Sequence, residues 1–561
     1  MRYCTAHSIL FLLLGMTILL LASCRKQEDA ATRHRKNVKH SKEAVTITPK
    51  EAFDFSIFDT AYYYYGVVQD SCLYFKIDEV SKDGLEGHFY PVGKSVWLEE
   101  VPFSIVRRDD DYYFKTKETE REIRFSVTID TACITGEFTP VHSRLDKRSI
   151  YFERHREPAY TQYDSPRYRK SVFSTKTKKN IKYGSAKGYW TSYAMNDSKY
   201  LKMFTKTISK TAKAKDLNLD FDLYYPDDDT LERHPLIVFI HGGAYYFGDK
   251  GALPMATFCS HFAKTGYVAA SINYRLGFKF TKTSILQCGY QAIQDAHAAV
   301  RYLVAHADEY GIDTSAIFLA GASAGSITAL NVAFMTNSTR PPFIQEHNLD
   351  AKLGKIESSG NNLHNKFTIK GVSNMWGAVH DLKVLSNHPV SVVSFHGTED
   401  NIVPYDEGAP FGFIKGELGE KLFDKMYGSK SIHRRLDELH IRNEFHPLEG
   451  AEHSPFQDKS GKLTQYFYYI QDKTQDFFYR ELCGNRTIQY DKENPSIFSL
   501  SNPNVQSASW KVEGGFITES KDNTITVLWR KGTKRHTVSV SAILDNGASF
   551  SNKTFIRYNP L

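Results

Sequence analysis

The sequence lacks the patterns that mark several classes of protein. No CxxC or HExxH cluster occurs among its 561 residues, so these patterns indicate no metal site. No internal repeat and no low-complexity segment is present. The formal net charge is only +7, while hydrophobic residues make up 41% and charged residues 24%. This composition excludes disorder throughout and allows a sizeable buried core.

A long hydrophobic run is also missing. The longest apolar stretch, Ile9–Leu21, is shorter than the ~20 residues that span a bilayer, and it follows Arg2 in the manner of an export signal. It ends at Leu21-Ala22-Ser23-Cys24, which resembles the bacterial lipobox, whose cysteine is acylated after cleavage. We expect residues 1–24 to be a lipoprotein signal peptide and Cys24 to carry the lipid.

Lipid chains on Cys24 would anchor the protein to a membrane by burying CH2 groups at ~0.8 kcal/mol each. The alternative is an ordinary cleaved signal with a coincidental cysteine. Residues 25–44 are basic without apolar periodicity, so we interpret them as a solvated tether and not as a nucleic-acid site. The prediction is an exported, membrane-anchored protein, either periplasmic or on the cell surface.

The remaining cysteines are odd in number, so they cannot all pair internally. Cys72 with Cys133, and Cys259 with Cys288, are candidate bridges in an oxidising compartment, although neither spacing compels one.

The periodicity of the chain changes twice. Residues 45–155 contain alternating, aromatic-rich runs and predict a small antiparallel β domain. A polar stretch, residues 156–189, is interpreted as a linker. Residues 190–483 alternate strands with longer helical segments, as a mostly parallel sheet flanked by helices requires. Residues 484–561 return to short strands and resemble immunoglobulin-like sandwiches and the PKD-like modules of exported bacterial proteins.

The sharpest motif is Gly321-Ala322-Ser323-Ala324-Gly325. It follows the apolar strand Ala316–Ala320 and precedes a helix-like run, which is the context of a nucleophile elbow. Side chains at the two glycines would collide with their neighbours in such a tight turn, so the hydroxyl of Ser323 would project from the end of the strand.

A second motif, His241-Gly242-Gly243-Ala244, ends the apolar strand Pro235–Ile240 and matches the HGGG-type motif of lipases and esterases. Glycines there let backbone N–H groups point at an oxygen that becomes negative during ester attack. We expect Gly242 and Gly243, with the N–H of Ala324, to form an oxyanion hole.

The acid and the base follow in chain order. His396-Gly397-Thr398-Glu399-Asp400-Asn401-Ile402-Val403-Pro404 matches an HGxxDxxVP pattern, and Asp400 takes the place of the acid, with Glu399 as its rival. His453, in a loop, is the predicted base, because an imidazole must take the proton of Ser323 and a carboxylate must fix its tautomer. His396 is interpreted as shaping the acid loop.

Two further segments are expected to be structural. Asn273-Tyr274-Arg275-Leu276-Gly277 and Asp295 match positions that hold loops near the site in this kind of fold. The segment Tyr405–Lys430, rich in Gly and Phe, is expected to form a lid or a pocket wall.

Taken together, residues 190–483 resemble the bacterial carboxylesterase and feruloyl-esterase-like branch of the α/β-hydrolases. The resemblance implies a serine esterase that acts through Ser323, His453 and Asp400 on short acyl or aryl esters, including carbohydrate-linked ones, without a cofactor. One departure is Ala244, where many relatives carry a third glycine. Two alternatives stay open: a serine peptidase of the same fold, and a surface binding lipoprotein with an inactive hydrolase domain.

Overall fold

The computed structural model describes residues 55–557 except 59, 69–70, 94, 110, 118–119, 130–132, 141–147, 195–204, 206–207, 212, 342–352 and 415. The predicted signal peptide, the lipidation site Cys24 and the tether lie outside the described residues. Within them, no helix has the length and apolar character needed to cross a membrane.

The chain divides into two compact units. The β unit contains residues 55–163, 485–543 and 550–557, and the α/β unit contains residues 164–484 with 544–549. The sequence predicts separate β domains at the two ends of the chain, whereas the structure groups both segments into a single unit. Contacts between β segments at opposite ends of the chain leave no local signal in the sequence.

Eight strands of the β unit close into an antiparallel barrel in chain order, with β1 paired to β9; β4 stands outside it. Their bounds are β1 Tyr63–Val68, β2 Ser71–Ser81, β3 Gly84–Pro91, β4 Trp97–Leu98, β5 Val101–Arg108, β6 Asp111–Thr116, β7 Glu120–Ile129, β8 Cys133–Pro140 and β9 Arg148–His155. A 3₁₀ turn, Phe55–Ile57, precedes them. The alternation of a strand sends Tyr64 into the barrel core, where it stacks on Phe75 at 4.6 Å between ring centroids.

The α/β unit is built on an eight-stranded mixed sheet in the order β10-β11-β13-β12-β14-β15-β17-β20. From β13 onward neighbouring strands are parallel, while β10 and β11 are antiparallel. The bounds are β10 Ser174–Gly188, β11 Lys215–Asp227, β12 His234–Ile240, β13 Val268–Ile272, β14 Ile312–Ala322, β15 Ile369–Met375, β17 Ser391–Gly397 and β20 Asn443–Leu448. A small sheet has the order β16-β19-β18, formed by β16 Ala378–Val379, β18 Glu407–Gly408 and β19 Met426–Gly428.

Helices pack on both faces of the large sheet. They are α1 Leu253–Thr265, α2 Lys282–Ala305, α3 Ala307–Tyr310, α4 Ala324–Phe334, α5 Glu417–Leu422, α6 Ser429–Glu438 and α7 Gln465–Cys483, with 3₁₀ turns at Ile208–Thr211, Ile356–Ser358 and Leu382–Ser386. On β12, Phe239 faces α1 and stacks on Phe258, whereas Val238 joins the core cluster that contains α2 and α4. Both faces of the central strands are therefore buried, which explains their continuous apolar runs.

The α/β class is confirmed, but its first strand begins earlier than expected. Ser174–Gly188, within the predicted linker, forms edge strand β10, which pairs antiparallel with β11. An edge strand has one neighbour and a solvated face, so lysines such as Lys178 and Lys182 are tolerated there and hide the strand from a hydrophobicity pattern.

The candidate bridge between Cys259 and Cys288 does not form. Cys259 lies on α1 and Cys288 on α2, both are free and buried, and the thiol of Cys288 donates to the carbonyl oxygen of Tyr245 at 3.4 Å. The side chain of Cys133, the other candidate partner of Cys72, lies outside the described residues.

The C-terminal segment of the β unit forms two sheets. Its strands are β21 Ile488–Tyr490, β22 Ile497–Leu500, β23 Val505–Glu513, β24 Gly515–Lys521, β25 Thr524–Arg530, β26 Thr537–Leu544 and β27 Ser549–Phe555. One sheet has the order β21-β22-β25-β24 with β4 paired to β25, and the other has the order β23-β26-β27. Phe516 on β24 fills an aromatic cluster with Tyr63, Tyr74 and Tyr90 of the barrel. The barrel and the C-terminal sheets thus share a core.

Candidate active site

Ser323 lies at a strained turn between β14 and α4. Its φ of 55° and ψ of −122° are unusual for a residue with a side chain. The two flanking glycines permit the turn: a Cβ on Gly325 would lie 2.1 Å from the carbonyl oxygen of Ile240, and one on Gly321 would lie 2.4 Å from that of Gly325. Close approach of α4 to β12 therefore requires glycine at 325, and the return of the chain from β14 into α4 requires glycine at 321.

His453 lies within hydrogen-bond distance of both other predicted site residues. Its loop connects β20 to α7, and its Nε2 lies 2.9 Å from Ser323 Oγ while its Nδ1 lies 2.7 Å from Asp400 Oδ2. A proton on Nδ1 donates to Asp400, which leaves Nε2 to accept from the hydroxyl of Ser323. This is the arrangement in which an imidazole can remove the serine proton.

The loop after β17 holds the side chain of Asp400 away from solvent. Its Oδ1 accepts the backbone N–H groups of Ile402 and Val403 at 2.8 and 3.0 Å. The rival carboxylate, Glu399, is exposed. Burial alone would raise the pKa of Asp400, but hydrogen bonds from His396 and His453 hold that pKa well below its usual range. Asp400 is therefore an ionised acceptor.

The glycine loop after β12 packs directly against the turn of Ser323. A Cβ on Gly242 would lie 3.2 Å from Ser323 Cβ and 2.8 Å from the carbonyl oxygen of Ala322. Gly243 has a φ of 112°, and a Cβ there would lie 2.3 Å from the carbonyl oxygen of Phe247. Ala324 is the first residue of α4, where backbone N–H groups have no partner within the helix. The glycine loop thus lies against Ser323, and the oxyanion hole expected from Gly242, Gly243 and Ala324 stays a prediction.

A buried scaffold supports the glycine loop from behind. Tyr274 Oη donates to the carbonyl oxygen of His241 at 2.7 Å. The neighbouring Arg275 forms a buried ion pair with Asp295 of α2, donating from Nη2 to Oδ1 at 2.7 Å and from Nε to Oδ2 at 2.8 Å. Burial lowers the pKa of His241 to about 4, so its ring is neutral at pH 7. The segment 273–277 and Asp295 thus have the structural role expected from the sequence.

Sequence reasoning missed Trp376. It follows β15, is fully buried and has a φ of 46°. Its ring lies 6.3 Å from that of His453 and 4.8 Å from that of Phe456, so it packs beneath the imidazole. Its place just beyond a parallel strand, in line with Ser323 and Asp400, is the only signal the sequence offered.

A cavity of about 720 Å³ adjoins the acid loop. Asp400 and the segment from Pro404 to Lys425 line it, with Tyr405 and Phe423 as aromatic walls and Glu407 and Lys425 among its polar groups. The lining includes neither Ser323 nor His453, so the expectation that the segment 405–430 forms a lid or wall of the substrate pocket stays a prediction. Among the described residues, no group of three or more His, Cys, Asp or Glu side chains is placed to hold a metal ion.

Comparison with known proteins matches the centre of the chain. The BD-FAE family model matches residues 221–391, a range that contains Gly242, Gly243, Ser323 and Ala324. Gut esterase 1 of Caenorhabditis elegans is 33% identical over 98 residues, 17% of this chain and 17% of that protein. Esterase E4 of Myzus persicae is 35% identical over 101 residues, again 17% of each. Esterase LipI of Mycobacterium tuberculosis is 30% identical over 99 residues, 18% of this chain and 28% of that protein.

The chain thus spans less than a third of the length of each of these relatives. Among solved structures, esterase 2 of Thermogutta terrifontis is 20% identical and covers 46% of this chain and 89% of its own, with a TM-score of 0.32. A truncated carbohydrate esterase from gut microbiota is 20% identical and covers 57% and 99%, with a TM-score of 0.34. On the sequence matches, the chain contains a BD-FAE domain, which belongs to an esterase family of the carboxylesterase type.

Proposed function

We propose that the chain is a serine carboxylic ester hydrolase in which Ser323 is the nucleophile, His453 the general base and Asp400 the acid. The observation that carries the proposal is the continuous hydrogen-bond line from Asp400 Oδ2 through His453 to Ser323 Oγ, with distances of 2.7 and 2.9 Å. The charge-assisted bond to Asp400 orients the imidazole and stabilises its protonated form.

The reaction proceeds in two steps. Ser323 Oγ attacks the ester carbonyl carbon while its proton moves to His453 Nε2, and the carbonyl oxygen becomes negative beside the N–H groups of Gly242, Gly243 and Ala324. The bond to the alcohol oxygen then breaks, and His453 returns the proton to the leaving alcohol. Water attacks the acyl-serine in the same way, releasing the acid and restoring the hydroxyl. One oxyanion donor is worth ~3 kcal/mol in the transition state.

For the substrate we propose short acyl or aryl esters, including carbohydrate-linked ones. The match to the BD-FAE model and the similarity to curated esterases support ester substrates. Hydrolysis rates with matched p-nitrophenyl esters, acetylated and feruloylated oligosaccharides, and the corresponding amides test it. Faster cleavage of amides than of esters would indicate a peptidase.

A fluorophosphonate probe tests the reaction type without knowledge of the substrate. The wild type should form a covalent adduct that Ser323→Ala abolishes. Absence of an adduct on folded wild-type protein, or an adduct that survives Ser323→Ala, would instead favour a binding lipoprotein with an inactive hydrolase domain.

We further propose that Cys24 carries the membrane anchor and that residues 1–24 are removed on export. The apolar run and the lipobox-like tetrapeptide before Cys24 support this proposal. Metabolic labelling with an alkyne fatty acid should mark the wild type and not Cys24→Ser, and detergent partitioning should shift the variant to the aqueous phase. Equal labelling of both would contradict it.

A further inference from the structure

A chain of buried polar side chains lies behind Asp400, and the proposed ester hydrolysis does not use it directly. Five of its members, on β15, β17, α4 and α6, are fully buried: Ser326, Asn374, Ser394, His396 and Ser429. Burying polar groups costs free energy unless each finds a hydrogen-bond partner. Here every member does, and the bonds run in sequence from the helix of the nucleophile to the acid.

The groups around Asn374 determine which atom of its amide is the oxygen and which is the nitrogen. The backbone N–H of Gly377 donates to Asn374 Oδ1 at 2.9 Å, which fixes that atom as the oxygen of the amide. The hydroxyl of Ser326, three residues after Ser323, donates to the same oxygen at 2.5 Å. Asn374 Nδ2 must then donate, and it does so to Ser394 Oγ at 2.8 Å and to Ser429 Oγ at 3.0 Å.

Ser429 extends the hydrogen-bonded row to His396, with its Oγ 2.8 Å from His396 Nδ1. A hydroxyl can accept more than one hydrogen bond, so the surroundings of the other ring nitrogen decide the tautomer. Nδ1 accepts the proton of Ser429 because the ring proton is on Nε2. That atom faces two acceptors, the carbonyl oxygen of Val403 at 3.2 Å and Asp400 Oδ2 at 3.3 Å. The opposite tautomer would turn a lone pair toward both oxygens.

Asp400 Oδ2 thus accepts the N–H of His453 at 2.7 Å and faces the N–H of His396 at 3.3 Å, which the carbonyl oxygen of Val403 shares. We infer that His396 is a positioning residue for ester hydrolysis: Ser429 donates to its Nδ1, and its own donation from Nε2 keeps the carboxylate of Asp400 turned toward His453. The inference rests on the proposed function. The hydrogen bond from His396 also contributes to the low pKa of Asp400, against the burial that raises it.

The same row of hydrogen-bonded side chains extends from the helix after the nucleophile, α4, to the loop of the acid. Ser326 begins it on the helix that follows Ser323, and His396 ends it on the loop strand that precedes Asp400.

The test replaces His396 by Gln and by Leu in the full chain. The amide nitrogen of Gln lies near the place of His Nε2 and can donate, whereas Leu fills the space without a donor. A hydrogen bond to a charged group is worth roughly 1.5–3 kcal/mol, so His396→Leu should lower kcat by about 10–100-fold with KM changed less than about twofold. His396→Gln should recover most of this loss.

Ser429→Ala adds an independent variant that leaves the ring in place. It removes the donor to Nδ1 of His396, and kcat should fall by about tenfold with KM preserved. The matched control is His433→Leu, which replaces another buried histidine, on α6, whose ring bonds to Asn443 and not to Asp400. It should reduce thermal stability and leave kcat of the folded fraction near the wild-type value.

Fluorophosphonate labelling of the wild type distinguishes failure of the proposed function from failure of the proposed role of His396. A wild type without a Ser323 adduct overturns the proposed function. A reactive wild type whose His396→Leu variant keeps full kcat, or loses no more than His433→Leu, overturns the role of His396 alone. Equal losses in His396→Gln and His396→Leu would also overturn it. If His396→Leu does not fold, Ser429→Ala and His396→Gln decide between the same outcomes.

Discussion

The imidazole of His241 stacks on the ring of Tyr274 with 4.5 Å between their centroids, and Tyr274 Oη donates to the carbonyl oxygen of the same histidine. His241 immediately precedes Gly242, so this pair holds the start of the glycine loop at two points. The start of the loop is held in place because Tyr274 lies just beyond the end of β13, the strand next to β12.

Tyr274→Phe keeps the stacked ring and removes one hydrogen bond. Because a single bond contributes about 1 kcal/mol, kcat for a p-nitrophenyl ester should fall by roughly 3–10-fold with little change in KM. Tyr267→Phe is the matched control, since the hydroxyl of Tyr267 is buried and has no hydrogen-bond partner among the described residues. Equal activity of the two variants would contradict a role for Tyr274 in holding the loop.

Asp400→Asn should lower kcat by about 10⁴-fold, since an amide cannot stabilise the protonated imidazole and favours the wrong tautomer of His453. The exposed neighbour provides the comparison: Glu399→Gln should stay within about twofold of the wild type. Steady-state rates of both variants test the assignment. A large loss in Glu399→Gln with a mild one in Asp400→Asn would exchange the two roles.

Gly242→Ala should reduce kcat by about 10²–10³-fold, because the added Cβ would press on Ala322 and Ser323 and displace the N–H groups that face the carbonyl oxygen. Gly289→Ala, on α2, serves as the control. Its Cβ would meet only the ring of Tyr245 at an ordinary 3.6 Å, and alanine favours a helix by roughly 1 kcal/mol over glycine. Activity in Gly242→Ala near that of Gly289→Ala would argue against the predicted oxyanion hole.

Acid should destabilise the α/β unit through its buried histidines. Burial lowers the pKa of His433 to about 4 from its ordinary value of 6.5, although the bond to Asn443 opposes the shift. Between those two pH values the unfolded chain binds more protons than the folded one. The free energy of unfolding therefore falls as pH drops, by up to about 1.4 kcal/mol per pH unit for this group.

His433→Phe removes that contribution and keeps a ring stacked on Phe445. Thermal unfolding measured from pH 7.5 to pH 4.5 should show a shallower loss of Tm in the variant than in the wild type. His364→Asn, at an exposed position, controls for the number of histidines. Parallel curves for His433→Phe and the wild type would refute the prediction.

Phe516→Ala should destabilise the whole β unit by about 3–5 kcal/mol, because its ring contacts Tyr63, Tyr74 and Tyr90 across two distant segments of the chain. Phe555→Ala, at a side chain 63% exposed in the same unit, should cost far less. Urea unfolding followed by the fluorescence of Trp97 and Trp529 distinguishes the two variants. A barrel that unfolds independently of residue 516 would contradict the shared core.

The sequence indicated those parts of the site that depend on short motifs at strand ends. The turns around Ser323, Gly242 and Asp400 each carry glycine or a recognisable spacing, and the structure brings the three segments together with His453. The buried polar side chains behind Asp400 follow no sequence motif of this kind. Asn374, Ser429 and Ser326 are common residue types from three separate elements, and only packing shows that they bond to one another.

The same reasoning explains which strands and pairings the sequence did not indicate. Periodicity reports which face of a local element is buried, so it found the apolar strands β12 and β14 and overlooked the lysine-rich edge strand β10. It could not report that strand β4 pairs with β25, because that contact is set by tertiary structure.

The hydroxyl of Tyr63 donates to the carbonyl oxygen of Ile517, 454 positions later. The barrel strands end at His155, so at a translation speed of 5–20 residues per second roughly 20–70 s pass before Phe516 is synthesised. During that interval residues 164–484 are synthesised, while the rings of Tyr63, Tyr74 and Tyr90 lack the aromatic ring that covers them in the folded β unit. Chains stalled before residue 516 should therefore be strong chaperone clients, and expression yield should respond to chaperone supply more than to changes around Ser323.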